Sequence, residues 1–254
     1  MTGPGSYIKR EELIMDANLD RAKVLTEALP YIQQYNGKIV VINCGGVPMT
    51  DPELREAVMS DIIMLRLVGI KVVLVHGIGP EAKEALKDAG MELQYKDGYP
   101  CVSDDALDVV QQVLCGKVNK GLVSALNQKG GKAIGLCGID GGLLSAKTIS
   151  PSYGRTGEVV KVDVTMVNSF LNQGYIPVIA TVAQGADGLT NVYSVSANVA
   201  AAKLAVALGA EKLIQLTDKE SMLQNPDAPG APMPELHLSK VPALIRSGAI
   251  SQIM

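Results

Sequence analysis

Hydrophobic and polar positions along the chain form blocks that predict strands followed by helices. Short apolar runs between polar or glycine residues predict buried strands, and apolar side chains three or four positions apart predict helices. The predicted strands are 38–43, 71–76, 132–137, 175–182, 191–195 and 212–217, and the predicted helices are 51–67, 79–89, 104–128, 197–208 and 239–247. This alternation predicts an α/β fold with a mostly parallel central sheet that helices cover on both faces.

The amino-terminal segment divides into two parts. Residues 1–18 are polar and irregular, whereas residues 19–35 carry an apolar stripe at helical spacing, in which Pro30 predicts a kink. Two interpretations of that helix stay open, because it could pack on its own domain or serve as an arm between subunits.

The connecting segments are rich in residues that favour turns. We predict a tight turn over Gly138–Gly142, a solvent-exposed hairpin over Ser150–Gly157, a β-hairpin that joins strands 175–182 and 191–195 through Asp187-Gly188, and a loop over 225–234.

Composition excludes several classes of partner. With a net charge of −3, one Phe and no Trp, the chain has neither a basic surface nor stacking aromatics for nucleic acid. No apolar run reaches the roughly 20 residues that span a bilayer, so we expect no membrane partner. The cysteines lack metal-ligand spacing and the chain does not start with a signal peptide, which predicts a cytoplasmic protein without a bound metal. Hydrophobic residues make up 47% of the chain, which favours burial between subunits and a homo-oligomer.

Two glycine-bearing turns end the first two predicted strands. Residues 38–46 read KIVVINCGG and residues 71–80 read KVVLVHGIGP. Such turns can direct backbone N–H groups at one phosphate chain, although simple tight turns would use the same glycines. The candidate phosphate- or substrate-binding residues here are Gly45, Gly46, Gly77, Ile78 and Gly79. Phosphoryl transfer also needs a cation beside those amides, and the turns do not supply one.

Several further segments resemble the amino-acid kinase family, and within it acetylglutamate kinase. The matching segments are GG at 45–46, MTD at 49–51, VGIK at 68–71, HG at 76–77, GPE at 79–81, DG at 97–98, GKVNK at 116–120, DGG at 140–142, GEVV at 157–160, GYIPV at 174–178 and LTD at 216–218. The resemblance extends from about Leu19 to Met254 and is far more specific than a single glycine motif.

The resemblance implies an open αβα sandwich with its carboxy-terminal part truncated. Residues 19–174 would form a lobe that binds N-acetyl-L-glutamate and makes the dimer interface, and residues 175–254 would form part of a lobe that binds ATP with magnesium, without a tightly bound cofactor. The family reaction converts ATP and N-acetyl-L-glutamate to N-acetyl-L-glutamyl 5-phosphate and ADP in arginine biosynthesis. A helix such as 19–35 interlaces dimers into hexamers in the family, so a homodimer or hexamer is expected.

The residues at the family's functional positions differ from the family pattern. Asn43 stands at the position of a catalytic lysine, Asn198 at that of the aspartate that organises the lysines, and Pro100 at that of an arginine that grips the substrate carboxylate. Ser194 and Ser196 lie in the run that holds substrate. The resemblance places nucleotide contacts at Thr217, Asp218, Ser221 and Met254.

These substitutions predict impaired or absent catalysis, because an asparagine donates a hydrogen bond without a positive charge. Two other functions stay open: a non-catalytic ligand-binding or assembly subunit of the same fold, and a kinase for another small carboxylate or carbamate. His76 is interpreted as a structural histidine rather than a base. Asp140 either braces its turn or organises the site indirectly.

Overall fold

The computed structural model of the chain describes residues 23–45, 51–186, 191–217 and 235–247. Its strands are β1 (Ile39–Cys44), β2 (Lys71–His76), β3 (Gln94–Lys96), β4 (Tyr99–Cys101), β5 (Ala133–Cys137), β6 (Leu144–Thr148), β7 (Thr156–Val162), β8 (Ile176–Ala180), β9 (Val182–Gly185), β10 (Val192–Val195) and β11 (Lys212–Leu216). Its α-helices are α1 (23–35), α2 (Pro52–Leu67), α3 (Pro80–Asp88), α4 (Asp104–Gln111), α5 (Asn119–Gln128), α6 (Thr165–Asn172), α7 (Ala197–Leu208) and α8 (Val241–Arg246).

The central sheet has the order β11-β1-β2-β8-β5, and all of its neighbouring strands are parallel. Helices α2 and α5 bury Met59, Ile62 and Leu122 against one face, and α6 and α7 bury Leu171 and Leu204 against the other. Apolar side chains from both sides of β1, β2, β8 and β5 therefore reach a core, as parallel sheets require, whereas the edge strand β11 is largely exposed. The predicted α/β class with a mostly parallel sheet covered on both faces is confirmed.

Local sequence explains where the helices begin. Asp51 caps α2 by accepting hydrogen bonds from the backbone N–H groups of Glu53 and Leu54, both at 2.9 Å. Ser103 caps α4 through the N–H of Ala106. The long helix predicted over 104–128 is present, but it contains a π-helical segment, Gln112–Val118, between α4 and α5. No sequence signal distinguished that segment from α-helix.

A second, smaller sheet was not predicted. Strands β10, β7, β6 and β9 close on themselves beside the central sheet. The single strand predicted over 175–182 is wrong, because the chain leaves the central sheet after β8 and enters the second sheet as β9. Thr181 makes this change of direction, where its N–H donates to the carbonyl of His76 and its carbonyl accepts from the N–H of Val195. Strands β9 and β10 pair antiparallel, which confirms the predicted hairpin.

The segment Ser150–Gly157 is not a wholly solvent-exposed hairpin. It holds a 3₁₀ turn, Pro151–Tyr153, and then begins β7 with Thr156. Tyr153 and Thr156 are buried. The hydroxyl of Thr156 donates to the carbonyl of Pro100, so the segment packs against β4.

Some predictions concern residues that the structure does not describe, and others are left untested by it. Residues 19–22, Asp187-Gly188 and the loop 225–234 lie outside the described residues. The division of the chain at Gly174 stays a prediction, and β8, which follows it, pairs with β2 and β5 in the central sheet. In the described ranges, no helix is long and apolar enough to cross a bilayer.

Candidate functional site

A cavity of about 480 Å³ lies at the carboxyl ends of β1 and β2, beside the first turns of α3 and α7 and the β3–β4 hairpin. This edge of a parallel sheet is where α/β proteins place their ligands. The candidate residues that line the cavity are Asn43, Gly45, Gly77, Ile78, Gly79, Pro100, Ser194, Ser196, Asn198 and Thr217. The remaining candidates, Gly46, Asp218, Ser221 and Met254, lie outside the described residues.

A hydrogen-bonded cluster of amides occupies the floor of the cavity. Asn43, which is 4% exposed, donates through Nδ2 to Asn198 Oδ1 at 2.7 Å and to Gln215 Oε1 at 2.6 Å. Both amide protons of Asn43 are therefore used within the cluster. Its Oδ1 is buried and has no hydrogen-bond partner in the described part of the chain. A buried acceptor of this kind is costly unless a ligand or water donates to it.

The described lining of the cavity carries little charge. None of the described lining residues is Lys or Arg, and a single one of them, Glu81, carries a carboxyl group. Backbone N–H groups, side-chain amides and the hydroxyl groups of Ser, Thr and Tyr are therefore the donors that these described residues offer to an anionic ligand.

The glycines that line the cavity differ in what requires them. A Cβ on Gly77 would lie 2.8 Å from the Cβ of Ala197 and 3.0 Å from Thr181 Oγ1, so packing of α7 excludes a side chain there. A Cβ on Gly45 would lie 3.8 Å from its nearest neighbour, and one on Gly79 would lie 3.3 Å from the mobile end of Glu81. Neither Gly45 nor Gly79 has a positive φ. Packing and backbone conformation therefore explain Gly77 but leave Gly45 and Gly79 unexplained.

Ile78 fits its turn without strain. A β-branched side chain disfavours positive φ. Among the described residues other than glycine, positive φ occurs at Asp97 and not at Ile78, so Ile78 has a backbone conformation that a β-branched residue can adopt. Its side chain packs against the buried cluster that contains Leu86 and Val102.

His76 is buried and neutral. Asn119 Nδ2 donates to the carbonyls of Leu136 and Val178 and lies 3.2 Å from His76 Nε2, while Lys120 donates to Asn119 Oδ1. The two carbonyls use both protons of the Asn119 amide, which holds that amide in place beside the imidazole. Burial lowers the pKa of His76 to about 4. The Nδ1 atom of His76 is buried and has no partner among the described residues.

Comparison with known proteins shows which family has this fold and this cavity. Residues 38–252 match the model of the amino acid kinase family. The chain belongs to the amino acid kinase family. It is 43% identical over 241 residues to the acetylglutamate kinase of Nostoc sp. strain PCC 7120, covering 94% of this chain and 80% of that protein. The chloroplastic acetylglutamate kinase of Arabidopsis thaliana is 41% identical over 233 residues, which are 91% of this chain and 67% of that protein.

A solved structure shows the same fold. The crystal structure of smu.665 from Streptococcus mutans UA159 superposes with a TM-score of 0.73 at 26% identity, covering 84% of each chain. The resemblance to acetylglutamate kinases and the sandwich fold expected from it are therefore confirmed.

Several lining residues of this amino acid kinase were missed by sequence reasoning. Gln215 accepts from Asn43, yet the two are 172 positions apart and only the pairing of β11 with β1 brings them together. Tyr95 and Tyr99 reach the cavity from the β3–β4 hairpin, whose turn has positive φ at Asp97 and Gly98. The DG dipeptide was the signal that could have predicted this hairpin.

Asp140 lies outside the described cavity lining. Its Oδ2 accepts a hydrogen bond from the backbone N–H of Cys137 at 2.7 Å, which braces the turn after β5. Of the two interpretations of Asp140, this contact supports the bracing role.

Proposed function

We propose that this amino acid kinase binds N-acetyl-L-glutamate and ATP in the cavity at the ends of β1 and β2. The identity to acetylglutamate kinases over more than nine-tenths of the chain supports this ligand pair. Gly45 and Gly79 support it independently, because their missing side chains keep the backbone open to phosphate although local packing does not require glycine. The reaction would be the family one, transfer of the γ-phosphoryl group of ATP to the N-acetyl-L-glutamate side-chain carboxylate.

We propose further that transfer is impaired, and the amide cluster around Asn43 carries this proposal. A transferring phosphoryl group develops charge on its oxygens, which preorganised cations stabilise. Asn43 already donates both of its amide protons to Asn198 and Gln215, so it offers neither a charge nor a free donor to the phosphoryl group. Loss of one such donor slows transfer by about 10²–10³-fold.

Pro100 weakens the binding of the phosphoryl acceptor, N-acetyl-L-glutamate. It lines the cavity but its side chain has no donor, and its carbonyl already accepts from Thr156. A carboxylate there would lack the bidentate partner that an arginine supplies. Ser194 and Ser196 are among the hydroxyl donors that line the same cavity. We therefore expect weak binding of the acetylglutamate carboxylates.

Magnesium would enter this site with the nucleotide rather than on a set of protein ligands. Within the described ranges, no group of three or more His, Cys, Asp or Glu side chains could hold a metal ion. When bound with ATP, the ion neutralises part of the phosphate charge. The protein's own part is to position the phosphates with the backbone of the two glycine turns.

A non-catalytic ligand-binding or assembly subunit is the second candidate function. The neutral cluster of Asn43, Asn198 and Gln215 favours it, because a buried amide cluster is stable without the paired charges that catalysis needs. Exposed apolar residues on α1, including Val24 and Leu25, support a homodimer or hexamer in either case. A cytoplasmic location and a role in arginine biosynthesis belong to the same proposal. A kinase for another small carboxylate or a carbamate is the weaker alternative.

Isothermal titration tests which nucleotide and acceptor the cavity binds. The chain is titrated with ATP and magnesium, then with N-acetyl-L-glutamate, aspartate and carbamate as competing acceptors. We expect saturable binding of ATP and a preference for N-acetyl-L-glutamate. Binding of aspartate or carbamate in preference to it would overturn the proposed substrate, and absence of nucleotide binding would overturn the kinase assignment of the cavity.

A further inference from the structure

Glu81 gives the described cavity lining its formal charge. It lies in the first turn of α3, two residues after Gly79, which is the N-cap of that helix. The other described lining residues carry neither a basic side chain nor a carboxyl group. The described part of the cavity is therefore negatively charged, although the ligands proposed for it are anions.

The Glu81 carboxylate lies against the turn at Gly79. A Cβ on Gly79 would be 3.3 Å from Glu81 Oε2, so this oxygen borders the space that the missing side chain leaves open. The same oxygen is buried and has no hydrogen-bond partner among the described residues. The carboxylate therefore stands beside the turn at which the proposed function places a phosphate, and its buried oxygen has no donor from the described chain.

The charge of Glu81 is not neutralised within the described ranges. The ion pairs of the described residues do not include Glu81. The nearest basic residue along the chain is Lys83, whose Nζ lies 5.5 Å from the centroid of the Tyr95 ring. Any anion at the Gly79 turn is therefore exposed to the field of this carboxylate.

The amino terminus of α3 attracts either anion. Gly79 supplies no side-chain cap, so the first backbone N–H groups of the helix are open to an acidic group. The helix dipole favours a carboxylate in the first turn, and it favours a phosphate on the same N–H groups. Glu81 and a bound phosphate therefore compete for one end of the helix.

We propose that Glu81 is a specificity-determining residue, which makes the cavity prefer the magnesium complex of ATP to metal-free ATP. This inference rests on the proposed function. Because magnesium is a divalent cation, its complex carries less negative charge than metal-free ATP. Repulsion by a fixed carboxylate increases with the charge of the ligand. Glu81 therefore weakens the binding of metal-free ATP more than that of the complex.

The test measures the dissociation constant of ATP for the full chain by isothermal titration, with magnesium in excess and then with EDTA in its place. Glu81→Gln keeps the size of the side chain and removes its charge. We expect this variant to bind metal-free ATP about tenfold more tightly and the magnesium complex about threefold more tightly. Added KCl should reduce both differences from the wild type, because salt screens the charge.

Glu84→Gln is the matched control. Glu84 lies on the same helix, is exposed and does not line the described cavity, so its replacement makes the same change in net charge away from the phosphates. This variant should leave both dissociation constants unchanged. Glu81→Ala separates charge from size, and it should show the same preference as Glu81→Gln.

Three outcomes would overturn the proposal. One is an equal gain for the two forms of ATP in Glu81→Gln, and another is the same gains in Glu84→Gln. The third is tighter binding in Glu81→Ala without any gain in Glu81→Gln, which would show that the side chain obstructs the ligand by its size. Failure of the wild type and every variant to bind the magnesium complex is a distinct result, which would overturn the proposed nucleotide site itself and this inference with it.

Discussion

Asn43 donates a hydrogen bond from Nδ2 to Asn198 Oδ1 at 2.7 Å, across the cavity end of β1 and the first turn of α7. In the acetylglutamate kinase pattern that this chain resembles, a lysine and an aspartate occupy the two positions. A neutral amide pair avoids the desolvation of two charges. Asn43 and Asn198 are therefore compatible with each other, whereas either one beside the family's aspartate or lysine would leave a charge without its counter-charge.

The first prediction is that the two positions are energetically coupled. Asn43→Lys places a charge at a site 4% exposed and should lower the free energy of unfolding by about 1–3 kcal/mol. Adding Asn198→Asp supplies a counter-charge and should recover about 1 kcal/mol or more of that loss. Urea unfolding of the wild type, both single variants and the double variant measures the coupling. Strictly additive losses would contradict it.

The second prediction separates the glycines of the two turns. Gly77→Ala brings its Cβ within 2.8 Å of Ala197 and should lower the free energy of unfolding by about 1–3 kcal/mol. Gly45→Ala and Gly79→Ala should change stability by less than about 0.5 kcal/mol. They should nevertheless weaken ATP binding about tenfold or more, because each methyl group obstructs the phosphates. Unchanged ATP affinity in both variants would show that Gly45 and Gly79 are simple turn residues and do not bind phosphate.

The central sheet was predictable from sequence because its strands are short apolar runs with sharp boundaries. The run 71–76 was predicted with its observed bounds, and 38–43 was displaced by one residue. The second sheet was not predictable in this way. In β7 buried and exposed residues do not alternate strictly, and apolar residues continue from β8 to β9 through Thr181, so nothing marks the change of sheet.

Much of the candidate site could be placed from sequence, because its residues end strands of a parallel sheet. Every described candidate lines the same cavity. What could not be predicted were side-chain partners set by tertiary pairing. Gln215 has no motif of its own, and Asn119, whose amide lies 3.2 Å from His76 Nε2, is 43 positions away in the chain. The binding and catalytic roles of all these residues stay predictions.

The third prediction concerns pH and His76. The pKa of His76 is about 4 in the folded chain and 6.5 is its ordinary value, so below pH 6.5 the unfolded state binds a proton that the folded state does not. Stability should therefore fall as pH decreases from 6.5 towards 4, by about 2–3 kcal/mol from this group alone.

The His76 prediction has a matched control in the second histidine. His76→Gln keeps a polar side chain beside Asn119 and should remove this part of the pH dependence. His237 is exposed, and His237→Gln should retain it. Urea unfolding at several pH values compares the slopes, and equal slopes for His76→Gln and the wild type would contradict the assignment.

The fourth prediction is that α1 mediates assembly. Val24, Leu25 and Leu29 are 64%, 70% and 50% exposed, which leaves an apolar stripe without partners in its own described chain. Leu25→Ser with Leu29→Ser should reduce the mass measured by light scattering while the circular dichroism spectrum is unchanged. Gln33→Ser on the same helix is the control. An unchanged mass in the double variant would show that α1 is not an oligomer arm.

The most direct test of impaired transfer is a coupled assay of ADP release by the unmodified chain, with saturating ATP and magnesium, in the presence and absence of N-acetyl-L-glutamate. The amide cluster of Asn43, Asn198 and Gln215 predicts acetylglutamate-dependent turnover at least about 10²-fold below a typical enzyme rate of about 10 s⁻¹. Turnover near about 10 s⁻¹ would contradict the account, because it would mean that transfer does not need a cation at position 43.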